Sequence, residues 1–437
     1  MMIQYAVEMA EKAGMDDSIA KIVRRKEKQV KFHRSEISIV KEWESTTLEI
    51  FMAKGKKVLT LEIENPDRKK IRKAIKDGKG IVEILADKEH YYGIGENDGE
   101  YVDKKMYDER VDDEKKLLSL ANRTIDDAIK QSEEVAGIIY AGKEEIELAT
   151  SRGMNEGDRN SWLSLSVRAF SSEKASGHSV RCARTFPSLK KDAGNEAGKI
   201  AAMASSHPKK IERGKYDVIF SHLSFANLIS YMADFASAFY VDSGMSFLSG
   251  KIGKEIGSEK LSVTDSGINP EGIASRKFDD EGIATGETPI IRKGKLESYL
   301  HNTSTAHKHG TKTTGNAGII SPSPWNEVVK PGDISLEEMI EGVKKGLYIT
   351  NVWYTRFQNY MEGDFSTIAR DGAFLIENGD ISHPVEGIRV SDSMPRILKN
   401  VEMLSNDIRQ IYWWEVEVPV FTPHALVKNV NITKSFL

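Results

Sequence analysis

The 437-residue chain carries 62 basic and 66 acidic residues, a formal charge of −4 mixed along its length, so the whole protein has no electrostatic footprint for nucleic acid. One cysteine, Cys182, excludes an intrachain disulfide and every multi-cysteine zinc or iron–sulfur site, and fits a reducing, cytoplasmic compartment. The length suffices for two or three domains without a stabilising metal, and no stretch approaches about eighteen apolar residues, so neither a signal peptide nor a membrane span is expected.

Ile3, Ala6, Val7, Met9, Ala10 and Ala13 recur at helical spacing until Gly14, which predicts an amphipathic helix over 2–13. Segments EISIVKEW, TTLEIFMA and KKVLTLEI, across 36–64, read as strands, with Lys54-Gly55-Lys56 closing a hairpin. Helices are expected at 67–76 and 113–132. Over 144–185 the segments EEIELATS, SWLSLSVRAFS and GHSVRCART alternate polar and apolar residues, as an antiparallel sheet with one wet face would. Basic stretches at 54–57 and 68–76 fall on a hairpin turn and a solvated helix face. A small-residue helix, GNEAGKIAAMASS (194–206), leads into HPKKIERGK, whose polarity, Pro208 and Gly214 mark a linker. The boundary is placed there: residues 1–206 as a helix, hairpin and sheet domain, 207–437 as a second α+β domain.

The second half opens with the strand YDVIF and the amphipathic helix SFANLISYMADFASAFY. Two hairpins follow, turning at Lys293-Gly294 and at Asn378-Gly379. Between them Ser335 and Glu338 form a capping box for a helix expected to end at Gly346. Strands mixed with a few helices, without βαβ alternation, indicate an α+β fold of two domains with antiparallel sheets and flanking helices.

Few residue patterns carry chemistry. In KHGTKTTGNAG (308–318), Gly310 and Gly315 are spaced as in a phosphate-binding loop, but Asn316 and Ala317 stand where Lys and Ser or Thr are required. What remains is a structural turn: Gly315 permitting a conformation or approach that a side chain forbids, Asn316 tying the loop to backbone. His301, His307 and His309 form the densest histidine cluster; on a strand His307 and His309 would face one way, as two metal ligands should, with Asp279, Asp280 and Glu281 conceivable as further ligands. The alternative is a polar surface turn. No helix carries two histidines and a glutamate in zinc-peptidase spacing, and His222 has no histidine four or five residues on. Cys182 lies near Arg181 and Arg184, which could lower its pKa, or it is a small apolar filler. No G-x-S-x-G elbow occurs.

At FDDEGIATGETPIIRKGKLESYLHNTSTAHKHGTKTTGNAG (278–318) the chain resembles the PmbA/TldD family, with further agreement at GMSFLSGKIGKEIGS (244–258), GLYITNV (346–352), GDFSTIARDGAFLIENGDISHPV (363–385) and PHALVKNVNIT (423–433). Gly315, Asn316 and Ala317 are part of that shared motif. The resemblance spans essentially the whole chain and is weaker before residue 140. It implies a cytoplasmic proteolytic assembly of two related subunits, TldD and TldE (also called PmbA), acting on unfolded peptides. TldD-type chains carry a zinc-binding HExxxH helix and a cysteine ligand near the C-terminus. Here that helix falls on LISYMADF (228–235), placing Ser230, Tyr231 and Phe235 where His, Glu and His would stand, and SNDIRQIYWWEVEVPVF (405–421) holds no cysteine. The resemblance therefore implies a TldE-like subunit with no metal, cofactor or catalytic residue of its own, paired with a zinc-bearing TldD-like partner, or with itself when alone. Two other readings stand beside it: an autonomous metal-dependent peptidase using His301, His307 and His309, and a regulatory, gyrase-modulator-like binding protein, for which the charge balance gives no support.

Overall fold

The computed structural model describes residues 2–96, 99–103 and 106–434. Its first sheet is a six-stranded antiparallel array in the order Lys57–Glu64, Glu36–Lys54, Asp17–His33, Glu134–Thr150, Asn155–Phe170, Ser176–Ala183. Helices Met2–Lys12 and Arg68–Ile84 join it in one apolar core around Ile3, Val7, Ile71 and Ile75; Glu114–Ile129 and Ala193–Ala204 join it in a second around Leu117, Ile125 and Ala197.

The strand at the middle of this sheet, Asp17–His33, has no counterpart among the expected elements. Its first turns alternate poorly because they are buried throughout, and beyond Arg24 its register rests on charge. Arg24 pairs with Glu147 at 2.5 Å, Lys26 with Glu42 at 2.9 Å, and Lys28 with Glu42 at 2.8 Å. Cross-strand opposite charges each add a few tenths of a kcal/mol to about 1 kcal/mol, so a lysine-rich run can lie at a sheet centre without an apolar period. The helix expected over 67–76 continues to Ile84.

From Gly214 onward there are two further sheets. One runs Lys295–Leu296, Glu287–Arg292, Val263–Ser266, Glu327–Val329, Val416–Thr422, Arg409–Trp413. In the other, Lys345–Asn359, Gly214–Phe220, Ala425–Lys434, Ile388–Ser393 and Asp364–Glu377 pair in turn, and the last pairs back to the first, closing a five-strand circuit that leaves no open edge in the ring. Both expected hairpins form; Asn378 and Gly379 take φ of 54° and 87°, the left-handed pair of a two-residue turn. The capping box at Ser335 and Glu338 is reciprocal, but its helix stops at Glu341, and Gly346 belongs to the following strand. The architecture is α+β with mainly antiparallel sheets. Among the described residues no helix is long and apolar enough to cross a membrane.

Helix His222–Ala236 lies against strands of both later sheets. The sequence pattern predicts an amphipathic helix, yet thirteen of its fifteen residues are buried; only Tyr231 and Asp234 are partly open. It is a core helix apolar nearly all round, which is what a helix wedged between two sheets requires.

Candidate functional site

The two sequence blocks FDDEG and TTGNAG fold onto each other. Gly315 has φ +67°, and a Cβ placed there would fall 2.4 Å from the Ala284 carbonyl oxygen. The Asn316 amide donates to Asp265 Oδ2 at 2.7 Å and to the Ser323 carbonyl at 3.0 Å. The Ala317 N–H donates to Asp279 Oδ2 at 2.9 Å, while its carbonyl accepts from the Asp280 N–H at 2.8 Å. Asp279 also accepts from the N–H groups of Glu281 and Ile283, both at 2.9 Å. Burial pushes the Asp265 carboxyl up to about 7 against the pull of Asn316 and the Trp325 N–H, and holds Asp279 well above the carboxylate range, with Glu281 adding to the rise. These carboxyls are spent on the backbone of the turn. Asp280 faces Lys21 at 2.8 Å, joining the knot to the first sheet, and Glu281 accepts from the Thr303 hydroxyl.

Beside the knot lies a cleft of about 470 Å³ where the first sheet meets the second. Arg25, Trp162, Ala317, Trp325, Tyr412 and Glu417 are among the residues that line it. Tyr412 belongs to Arg409–Trp413, the last strand of its sheet.

The structure does not bring the three clustered histidines together: the His301 and His309 rings lie 5.1 Å apart, while His307 is turned away from them. Their segment is a helix, Thr303–Lys308, so His307 and His309 point apart rather than along one strand face. His307 stacks on Tyr92 with ring centroids 3.9 Å apart, His309 contacts Asp242 at 2.8 Å, and His301 is buried beside Thr305. Asp279, Asp280 and Glu281 are engaged as described above and supply no ligand to them.

Ser230, Tyr231 and Phe235 are likewise occupied. Ser230 donates back to the Asn227 carbonyl at 3.0 Å. Tyr231 packs against Phe357 at 4.9 Å, and burial pushes its hydroxyl up to about 12. Phe235 is enclosed by Phe247 and Phe357 at 4.8 and 5.1 Å. An aromatic cluster fills this part of the helix, and none of the three side chains offers zinc a nitrogen, thiolate or carboxylate. Zinc therefore does not fit these positions.

Cys182 is partly buried, with Sγ 3.3 Å from the Tyr412 carbonyl. Burial pushes its thiol up to about 12, outweighing Arg181, so the arginine neighbours do not activate it. With almost no thiolate at neutral pH, Cys182 is expected to resist alkylation by iodoacetamide in the native protein at pH 8 and to react once urea unfolds it; fast native labelling would contradict this.

The sequence gives no warning of one cluster. His222, at the first turn of the core helix, meets His424 with ring centroids 3.9 Å apart, and Asp407 lies 2.9 Å from His222 Nε2. His424 sits inside PHALVKNVNIT and Asp407 inside a loop, so only the chain's topology joins them; the one available signal is that a histidine occupies each of two apolar segments.

Residues 213–434 match the family described as the PmbA/TldA metallopeptidase C-terminal domain. Over 202 residues the chain is 31% identical to a metalloprotease of Methanothermobacter thermautotrophicus, covering 45% of this chain and 44% of that protein. It is 29% identical over 201 residues to the metalloprotease PmbA of Escherichia coli O157:H7, covering 46% and 43%. The chain thus spans less than half the length of the curated relatives it matches. The structure of TldE from Thermococcus kodakarensis superposes with a TM-score of 0.87 over 98% of this chain and 99% of that one, at 20% identity, a likeness of fold.

Proposed function

The chain belongs to the PmbA/TldD family of metallopeptidase-like proteins, and on that footing we propose that it is a TldE-like subunit which completes a peptide-degrading assembly with a TldD-like metallosubunit and contributes no catalytic residue. The observation that carries this reading is the aromatic packing of helix His222–Ala236. Where the resemblance assigns a zinc-binding sequence, Ser230 bonds back to Asn227 within the same helix, Tyr231 and Phe235 pack on Phe357 and Phe247, and none of the three offers a metal ligand or general base. Residues 405–421 contain no cysteine to replace them.

The chain's own contribution is then to shape and bind. The cleft beside the knot is bordered by the terminal strand Arg409–Trp413, whose Tyr412 carbonyl already accepts from Ser164, and an extended peptide pairing with the rest of that strand's main chain would be held with little sequence preference. That suits unfolded peptides as the substrate class and a cytoplasmic setting, and it allows self-pairing when the partner is absent. Peptide cleavage that requires both chains is the test: the purified chain is inactive alone, and adding a TldD-like subunit produces chelator-sensitive cleavage.

A further inference from the structure

We propose that His222, His424 and Asp407 form a binding site for one divalent transition-metal ion of the zinc type, separate from the helix positions at which the family resemblance would seek zinc. The inference is independent of the subunit assignment above.

The donor set has the chemistry. Both imidazoles are buried, and among the described residues His424 Nδ1 has no hydrogen-bond partner. Asp407 Oδ2 lies 2.9 Å from His222 Nε2. A buried polar atom is rarely left unpaired, and this one adjoins an imidazole–carboxylate pair, a donor set that one metal ion would satisfy. One ligand atom from each residue falls within 4.8 Å of the others. A tetrahedral ion with arms of about 2.0–2.1 Å separates its ligands by about 3.3 Å, which lies between the 2.9 Å of the His222–Asp407 contact and the 4.8 Å span of the set.

The surroundings agree. A small cavity of about 20 Å³ lies beside the two imidazoles, lined by His222, His424, Tyr348, Glu196 and Arg409 with Asp407 outside its lining, and has room for a single ion or water. Ser405 holds the two segments side by side: its hydroxyl donates to Asp407 Oδ1 at 2.7 Å and accepts from the backbone N–H of His424 at 2.9 Å.

Two features oppose a cation. Arg409 faces the cavity, but Glu196 takes its charge at 2.5 Å. His222 begins a helix, whose positive end repels cations; there Ser221 already accepts from the Leu223 and Ser224 N–H groups. These favour an ion held by imidazole coordination over a hard ion held by charge, hence zinc, cobalt or nickel over magnesium or calcium. Bound there, the ion would tie the start of the core helix to strand Ala425–Lys434 and to the loop before Arg409–Trp413.

The experiment uses the full chain, stripped with EDTA, dialysed and titrated with Co²⁺ as the spectroscopic probe. One equivalent should bind with visible d–d absorption, Zn²⁺ should displace it, and saturating Zn²⁺ should raise the melting temperature. His424→Gln and Asp407→Asn should each weaken binding by more than about tenfold. Because His424 is buried, its variant is checked for native circular dichroism; should it fail to fold, Asp407→Asn, on an exposed side chain, decides alone. Absence of stoichiometric binding, or binding unchanged in Asp407→Asn, overturns the site and means that the cavity holds only water or that metal goes elsewhere. Neither result bears on whether peptide cleavage needs a partner.

Discussion

Gly315→Ala is expected to destabilise the protein by about 2–4 kcal/mol, while Gly310→Ala, five residues earlier and with nearly the same backbone angle, should cost only about 1 kcal/mol. Both glycines are left-handed, at φ +67° and +62°, so the conformational penalty of a side chain is common to the two. The surroundings differ. A Cβ at 310 meets nothing within 4 Å, whereas at 315 it would lie 2.4 Å from the Ala284 carbonyl oxygen and 3.1 Å from the Thr285 Cα, backbone atoms that cannot rotate away. Relief would require the turn to lift from FDDEG, loosening Asn316 from Asp265 and Ala317 from Asp279. Urea unfolding of the two variants measures the difference directly, and equal losses would show that the close approach carries no energy.

A second large effect is expected at Arg184. Its side chain is fully buried and donates to the Met106 carbonyl at 2.9 Å, to the Gly272 carbonyl and to Asn160 Oδ1, so it ties the first sheet to the segment after Gly267. Burial pulls its proton affinity down to about 10, which still leaves it charged at neutral pH. Arg184→Ala strands the buried Asn160 amide oxygen and the partly buried Met106 carbonyl, leaves the Gly272 carbonyl with the Ser275 N–H alone, and opens a cavity, together about 3–5 kcal/mol. Arg184→Lys should rescue little, because an ammonium cannot reproduce a planar fork aimed at three acceptors. A loss below about 1 kcal/mol by urea unfolding would contradict this role.

Legibility in the sequence followed how local each cause is. Caps, turn residues and helical periods act within a few positions, and the helix at 2–12, the capping box at Ser335 and the turn at Asn378-Gly379 stand where those signals put them. Asp17–His33 was hidden because its partners in charge, Glu42 and Glu147, come from other strands. Gly346 was misread as a helix stop because a glycine after a helical pattern serves equally well to begin a strand. The histidines at 301–309 misled through an assumed strand period that the short helix breaks. His222, Asp407 and His424 could not be joined at all, since no local pattern connects a helix start, a loop and a C-terminal strand entry.

We propose that this chain supplies a wall and a binding edge but not the cutting group. The most direct measurement is hydrolysis of an unfolded peptide by the purified chain, by a TldD-like metallosubunit, and by the two mixed, each with and without chelator. The account predicts no cleavage by this chain alone and chelator-sensitive cleavage in the mixture, unchanged by His307→Ala. Chelator-sensitive cleavage by this chain alone, abolished by His307→Ala, would contradict it.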